Sequence, residues 1–146
     1  MYQSQTQQLF LKGVLSRHLK VNIDERGSLT ELLRKDWKDI VKEPIRQIIV
    51  SKSKPGVVRA WHRHTRGQVD YMVVVKGTVD IWLKKGSQTY KIRVWGKHPK
   101  LVRIPGKYWH GYQNVGDEEC IVLYFINKLY DYENPDEERM PYKEEM

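Results

Sequence analysis

Three histidines and one acid have the spacing of a polar site built on β-strands. His62 and His64 are two residues apart, and Asp70 follows at an even spacing from both. Because alternate residues of a strand lie on one face, these side chains are predicted to point the same way. A third histidine, His110, follows a Pro-Gly pair that favours a turn. Imidazoles and a carboxylate brought together can transfer protons or bind a metal ion.

The elements that carry these residues are predicted to be strands. In two stretches, 79–84 and 90–94, apolar residues alternate with polar ones, which is the period of a strand with one buried face. Lys85-Gly86-Ser87 lies between them and predicts a hairpin turn. Further Gly and Pro turn signals recur at short intervals along the chain. We therefore expect an all-β fold with one or two short helices.

The one clear helical pattern covers Glu31 to Lys42, where apolar residues are spaced by three and four. Pro44 would end this helix, and Ser28 with Glu31 has the spacing of a capping box.

Composition limits the class of protein. A chain of 146 residues and 17.4 kDa, 40% of them hydrophobic, predicts one domain over residues 1–146. The single Cys120 excludes an internal disulfide. No window resembles a membrane span or a signal peptide, so we expect a cytoplasmic protein without a membrane partner.

The net charge of +8 is concentrated in one part of the chain. Residues 81–116 contain basic residues and no acids, whereas the segment from Asp131 onward is acidic. No known nucleic-acid reading motif is present. The charge therefore favours a solvated surface or an anion-binding pocket, which would suit a diphosphate, over nucleic acid.

Two segments resemble the paired motifs of the cupin superfamily. The first contains Gly56 and the His62-x-His64 pair, and the second contains Pro105, His110 and Asn114. The resemblance implies a small jelly-roll barrel with histidines at its mouth.

A closer resemblance covers nearly the whole chain. Residues 24–27, 58–62, 110–112, 122–124 and Tyr130 follow one another as in dTDP-4-dehydrorhamnose 3,5-epimerases, and the chain is similar to a short branch of that family. The resemblance implies an isomerase that acts on a 4-keto-6-deoxy sugar nucleotide without a cofactor. It also implies a homodimer in which the subunits exchange their N-terminal segments, and hence a role in polysaccharide biosynthesis.

The resemblance also implies roles for particular residues. His62 matches the base that removes a proton from carbon, and Tyr124 matches the acid on the opposite face. The remaining matched or neighbouring positions are expected to bind the sugar or its nucleotide: Arg26, Glu31, Gln47, Arg59, His64, His110 and Tyr130. The family places the acid at Glu31 on a strand, which conflicts with the capping box, and we prefer the family's placement.

Two departures from the family concern the reaction itself. Asp70 stands where the family has a catalytic lysine, and an anion there would repel an enolate. The family also orients its base with an aspartate near the end of a longer chain, for which this sequence offers no matching position. Asp70 is therefore a candidate to orient His62, with Arg59 or His64 as the electrophile.

Two other functions remain open on the sequence. A metal-dependent cupin would hold Fe, Mn, Ni or Zn with three histidines and one oxygen ligand. Its ligands would be His62, His64, His110 and either Asp70 or Gln68. A cupin that binds a sugar or nucleotide without converting it is the other alternative.

Overall fold

The regular elements of the protein are all β-strands in the computed structural model, which describes residues 6–143. The strands in chain order are β1 (Thr6–Gln8), β2 (Leu15–His18), β3 (Val21–Asp24), β4 (Gly27–Thr30), β5 (Gln47–Ser53), β6 (Val58–Arg63), β7 (Val69–Lys76), β8 (Thr78–Lys85), β9 (Gln88–Trp95), β10 (Lys100–Pro105), β11 (Trp109–Asn114), β12 (Cys120–Ile126) and β13 (Glu138–Arg139). The all-β prediction is confirmed.

Two antiparallel sheets face each other and form the barrel. One has the order β1-β2-β10-β7-β12-β5, and the other has the order β13-β6-β11-β8-β9. The predicted hairpin joins β8 to β9, with Lys85 paired to Gln88 across the turn. Alternate residues of these strands, among them Val79, Ile81 and Leu83, are buried between the sheets. The period of two therefore predicted which side chains form the core.

Strand β7 is buried on both faces because a second layer covers the six-stranded sheet. Met72 and Val74 point into the barrel, whereas Tyr71 and Val73 pack outward against Ile40 and other residues of the segment before β5. This explains why β7 is a continuous apolar run from Tyr71 to Val75 rather than an alternating pattern.

The helix predicted over Glu31 to Lys42 is wrong. This segment forms consecutive turns, in which the backbone N–H of Trp37 bonds to the Arg34 carbonyl and that of Ile40 bonds to the Trp37 carbonyl, both at 3.1 Å. A helix this short gains little from its own hydrogen bonds, and Ile40 is already fully buried against the sheet. Ser28 lies within β4, so the predicted capping box does not form either.

A polar latch holds this covering segment in place. Arg103 on β10 donates two hydrogen bonds to the Glu43 carboxylate, at 3.0 and 2.6 Å, and Tyr71 donates a third at 2.6 Å. Burial opposes ionisation of Glu43, but these contacts outweigh it and lower its pKa. The latch therefore joins the loop before β5 to the centre of the six-stranded sheet as an ion pair.

Strands β3 and β4 form a separate two-stranded hairpin, here called the arm (residues 21–30). Its strands pair only with each other, and its tip carries Arg26. Ile23 and Leu29 on the arm are 78% and 66% exposed. A two-stranded hairpin is marginally stable alone in water, so an arm with bare apolar side chains is expected to contact another surface.

Within the described range of residues, the chain has no helix long and apolar enough to cross a membrane.

Candidate active site

A cavity of about 190 Å³ lies at one end of the barrel, between the two sheets. Residues of β5, β6, β7, β11 and β12 line it, together with the chain that follows β12. The structure thus brings together six of the residues predicted from the sequence: His62, His64, Asp70, His110, Tyr124 and Tyr130.

Close packing of the backbone brings the histidines together at the cavity. Strand β11 pairs with β6 so that His110 lies opposite His62. The turn before β11 contains Gly106, whose carbonyl accepts a hydrogen bond from the His64 N–H at 2.7 Å. A Cβ at Gly106 would collide with the Gln68 carbonyl and lie 2.7 Å from the His64 Cβ. Glycine at this position therefore allows the second histidine motif to approach the first.

His62 is the least buried of the three site histidines. Its side chain is 30% exposed, and its Nδ1 lies 3.4 Å from Oε1 of Glu137. Burial lowers the pKa of His62 more than the Glu137 charge raises it, so the net shift is downward. A neutral imidazole at the cavity wall is the form that can accept a proton.

Glu137 was missed by the sequence reasoning. It immediately precedes β13, which pairs with β6 and places Arg139 opposite His62. Arg139 also donates two hydrogen bonds to the Glu137 carboxylate, at 3.1 and 3.0 Å. The acidic character of the segment after Asp131 was the only signal of it in the sequence. The structure therefore places a carboxylate beside His62.

The residues from Asn134 to Met140 form a strap across the site. Asp136 accepts hydrogen bonds from the backbone N–H groups of Thr65 and Arg66, at 3.0 and 2.9 Å. Further along, the backbone groups of Met140 and Trp61 bond to each other in both directions. The strap is thus attached on both sides of Glu137, which fixes its carboxylate against the cavity.

Asp70 does not contact His62 and instead lies between the other two histidines. Its Oδ2 is 3.0 Å from Nε2 of His110 and 3.5 Å from Nε2 of His64. Although burial opposes ionisation, hydrogen bonds from these histidines hold the pKa of Asp70 well below its usual range. The proposal that Asp70 orients His62 is therefore wrong, because the His62 Nδ1 faces Glu137.

His64 is held in place from the other side as well. Its Nδ1 lies 2.6 Å from the carbonyl oxygen of Asp136 in the strap. Burial disfavours the charged form of His64, but Asp70 and the Asp136 carbonyl outweigh this effect and raise its pKa. The anion at Asp70 is therefore compensated locally by its neighbours, so it does not stand as a bare charge in the cavity.

Tyr124 lies on the opposite wall from His62, because β12 belongs to the six-stranded sheet and β6 to the five-stranded one. Burial, together with the nearby Tyr112 and Asp70, raises the pKa of Tyr124 well above its usual value. Its hydroxyl makes no hydrogen bond to any residue in the range 6–143. The phenol is therefore protonated and free to donate to a ligand.

Four residues predicted to bind substrate lie away from the cavity lining. Arg59 is exposed and bonds to Ser53 Oγ at 2.6 Å, while Gln47 accepts a hydrogen bond from the Tyr130 N–H at 2.8 Å. Arg26 pairs with Asp24 on the arm, and Glu31, one residue past β4, pairs with Arg34. Gln47 thus positions Tyr130, and Arg26 and Glu31 do not reach this chain's own cavity.

One group of candidate metal ligands occurs among residues 6–143. It consists of His64, Asp70 and His110, all buried, with ligand atoms within 4.8 Å of one another. His62, which the sequence also offered as a ligand, is not part of this group. Gln68 lies beside it and donates a hydrogen bond to Asp70 Oδ1 at 2.8 Å.

Comparison with known proteins agrees with this fold. The chain is similar to a probable low-salt glycan biosynthesis epimerase of Haloferax volcanii, with 41% identity over 86% of this chain and 85% of the relative. It is also similar to a spore coat polysaccharide biosynthesis protein of Bacillus subtilis, with 31% identity over 92% of each chain.

Two solved structures share the fold. The dTDP-4-dehydrorhamnose 3,5-epimerase of Sulfolobus tokodaii matches with a TM-score of 0.77 and 26% identity, over 94% of this chain and 83% of that chain. The 4-keto-6-deoxy sugar epimerase NovW of Streptomyces spheroides matches with a TM-score of 0.81 and 23% identity, over 94% of this chain and 74% of that chain. The predicted epimerase-related cupin barrel is confirmed.

A family model described as the polysaccharide biosynthesis C-terminal domain matches residues 22–138. That range includes both histidine motifs, both cavity walls and Glu137. Together with the relative that is 41% identical, it confirms the epimerase class predicted from the sequence, while the roles of single residues stay predictions. The chain belongs to the polysaccharide biosynthesis C-terminal domain family, in its epimerase-related cupin branch.

Proposed function

We propose that the protein epimerises a 4-keto-6-deoxy sugar carried on a nucleoside diphosphate, with His62 as base and Tyr124 as acid. The observation that carries the proposal is the pair of opposed walls: a neutral imidazole on one and a protonated phenol on the other, facing one cavity. Inverting a carbon requires removal of a proton from one face and delivery to the other.

His62 takes the proton from the carbon beside the keto group, and the C–H electrons form an enolate whose charge lies on the C4 oxygen. Tyr124 then donates its proton to the opposite face of the same carbon and becomes a phenolate. Proton exchange with solvent restores both groups. Glu137 stabilises the imidazolium that forms on His62, because its carboxylate lies 3.4 Å from Nδ1.

The size of the cavity supports a sugar ring as its occupant. Its 190 Å³ is below the roughly 300 Å³ at which pockets for whole drug-sized ligands begin. The sugar would therefore enter the cavity while the nucleoside diphosphate lies outside it. The names of the structural relatives, which include epimerases of 4-keto-6-deoxy and dehydrorhamnose sugars, support this substrate class.

A homodimer with exchanged arms follows from the same proposal. Arg26 and Glu31 lie away from this chain's own cavity, and the arm exposes Ile23 and Leu29. Strand β5 is an edge of its sheet and exposes Ile48 by 62%. We propose that the arm packs on a second copy, where its polar residues contact the nucleotide. A nucleotide-sugar substrate would also place the protein in the cytoplasm.

Proton NMR in deuterated water tests the function. We expect dTDP-4-keto-6-deoxyglucose to lose its C3 or C5 proton signal in the presence of the protein, and which signal is lost identifies the carbon inverted. The His62→Ala variant should slow this exchange by about 10³-fold, within the range for removing a general base. His18→Ala is the matched control, because His18 is exposed and does not line the cavity. Exchange that is unaffected by His62→Ala would overturn the assignment.

The same samples distinguish catalysis from simple binding. If the sugar nucleotide binds to the wild-type protein but no proton exchanges, the protein is a sugar-nucleotide binding cupin, and the proton-transfer proposal is wrong.

A further inference from the structure

Three hydroxyl groups form a hydrogen-bonded chain across the interior of the barrel, outside the lining of the cavity. The Tyr112 hydroxyl on β11 lies 2.7 Å from Ser51 Oγ and 2.7 Å from Ser53 Oγ, both on β5. Tyr112 is completely buried, and Ser53 is 4% exposed. Because β11 and β5 belong to different sheets, the three hydroxyls connect the two sheets by polar contacts beside the hydrophobic core.

Arg59 occupies one end of this hydroxyl chain. Its Nε donates a hydrogen bond to Ser53 Oγ at 2.6 Å, and its Nη2 donates another to the Lys52 carbonyl at 3.1 Å. A guanidinium only donates, so Ser53 accepts at this end and keeps its own proton for Tyr112. The single proton of Tyr112 can then be donated to Ser51. Donation thus runs from the guanidinium to Ser51, and each hydrogen bond strengthens the next one.

Ser51, at the other end of the hydroxyl chain, is a neighbour of Tyr124. It pairs with Val122 on β12, two residues before Tyr124, while Tyr124 itself pairs with Ile49. Residues two apart on a strand share a face, so Ser51 and Tyr124 are diagonal neighbours on the face turned into the barrel. Tyr124 also packs against the core cluster that contains Tyr112. The hydroxyl chain therefore ends beside the side chain that we assign as the acid.

The charge of Arg59 favours the ionised form of Tyr124. Charged or titratable groups on four strands act on this phenol: Arg59 on β6, Asp70 on β7, Tyr112 on β11 and Cys120 on β12. Of these four, Arg59 is the one that lowers the pKa of Tyr124. Tyr112 raises it by Coulombic repulsion, which requires an ionised Tyr112, whereas a hydroxyl that donates a hydrogen bond is neutral. Arg59 therefore acts on Tyr124 although it does not line the cavity.

We propose that Tyr112 is a positioning residue for the reaction: it links Arg59 and Ser53 to Ser51, and this hydroxyl chain stabilises the phenolate that Tyr124 becomes after donating its proton. The inference rests on the proposed function, because only a Tyr124 that gives up its proton needs this stabilisation. The negative charge forms beside a hydroxyl whose strength as a donor is increased by the Arg59 guanidinium. Arg59, which the resemblance assigns to substrate binding, acts instead through its neighbours.

Tyr112→Phe tests the hydroxyl chain, because it removes one hydroxyl and keeps the ring in the core. Epimer formation should fall by about 10-fold, the low end for loss of a hydrogen bond to a charged group, since the effect reaches Tyr124 through Ser51. Exchange of the substrate proton with deuterated water needs only His62 and should keep the wild-type rate. KM should not change, because Tyr112 does not line the cavity. Equal losses in the two rates, or no loss in either, would overturn the proposal.

The matched control is Tyr108→Phe. Tyr108 is also buried, at 4% exposed, and its hydroxyl also donates one hydrogen bond, to the Lys12 carbonyl at 2.7 Å. Loss of a buried hydroxyl as such should affect both variants alike. Tyr108→Phe should therefore leave the ratio of epimer formation to proton exchange at the wild-type value. The same fall in this ratio for both variants would assign Tyr112 a structural role and overturn the proposal.

A measurement without substrate covers the case in which Tyr112→Phe does not fold. Protein labelled with ring-fluorinated tyrosine reports the ionisation of each phenol by fluorine NMR, and the Tyr124 signal is the one missing from Tyr124→Phe. Ser51→Ala breaks the hydroxyl chain at a half-buried position with a side chain that does not titrate. The ionisation midpoint of Tyr124 should rise by about one pH unit, the equivalent of a 10-fold effect.

An unchanged midpoint in Ser51→Ala would overturn the hydroxyl chain. Because this titration uses no sugar nucleotide, failure of the hydroxyl chain is distinguishable from failure of the epimerase proposal.

Discussion

The cavity and the arm differ in how many of their side chains find a contact partner within one chain. At the cavity, Asp70 lies between His64 and His110, and the strap contacts His62 and His64, so most of these polar groups meet a partner within the same chain. The arm borders an open groove of about 1110 Å³ at the far ends of β7 and β9, and Ile23 and Leu29 of the arm remain exposed. One chain therefore supplies all the residues that line the cavity, whereas it leaves the apolar side chains of its arm exposed.

The largest effect is expected for Tyr124, which lies on the cavity wall opposite His62. Tyr124→Phe should lower epimer formation by about 10³-fold, because it removes the phenol that we propose as the proton donor on the face opposite His62. Exchange of the substrate proton with deuterated water should persist, since His62 still removes and returns it on its own side. Chromatography of the product measures the rate of epimer formation, and NMR of the residual substrate measures the rate of proton exchange. Equal loss of both rates would show that Tyr124 does not act as the acid.

A smaller effect is expected from the strap. Glu137→Gln should reduce kcat by roughly 10- to 100-fold, less than the roughly 10⁴-fold seen for the buried aspartate of a serine-protease triad, because this contact is longer and partly exposed. The matched control is Glu138→Gln, one residue away, whose carboxylate bonds to Arg63 at 2.8 Å outside the cavity. Steady-state kinetics should show a change in kcat for the first variant and none for the second. Equal effects would assign Glu137 a structural role.

The latch that supports the cavity wall from behind should affect stability rather than chemistry. Glu43→Gln should lower the free energy of unfolding by about 2 kcal/mol at neutral pH, because it leaves the buried Arg103 guanidinium without its charged partner. The pKa of Glu43 is lowered in the folded state, so its contribution is fully present above the usual value of 4.5 and is lost as pH falls through the lower folded value. Urea unfolding should therefore give a difference between wild type and variant that shrinks below about pH 4.5. A difference that does not change with pH would contradict this account.

A substitution on the arm should have the smallest effect on the free energy of unfolding of one chain. Leu29→Asp removes an apolar side chain that is already 66% exposed, so the free energy of unfolding of the monomer should change by less than about 0.5 kcal/mol. The same change should shift the protein from dimer to monomer in sedimentation velocity and raise KM for the sugar nucleotide. Retention of a dimer with unchanged KM would show that the arm serves another purpose.

Much of the fold and the cavity could be predicted because the signals are local. Strand periodicity identified β8 and β9, and the two histidine motifs identified His62, His64 and His110. The resemblance to the epimerase family added Tyr124, which local patterns alone would interpret as an ordinary strand residue.

What the sequence did not predict depends on long-range packing. Glu137 meets His62 only because a two-residue strand near the end of the described chain pairs with β6. The helix over residues 31–42 failed because burial of Ile40 against the sheet does not need helical hydrogen bonds. Arg59 was expected near the substrate, yet it is held outside the lining by Ser53. For Glu137 and for Ile40 the deciding contact is with a part of the chain far away in sequence, whereas Arg59 is held by a residue on the preceding strand.

The strap has a consequence for how the protein is made. His62 is synthesised well before Glu137, and six strands of the two sheets lie between them in the chain. Strand β12, which joins β7 to β5 and carries Tyr124, is made only shortly before the strap. The six-stranded sheet and the wall beside His62 are therefore completed at nearly the same stage of synthesis, and the cavity has no early, partly formed version on a finished barrel.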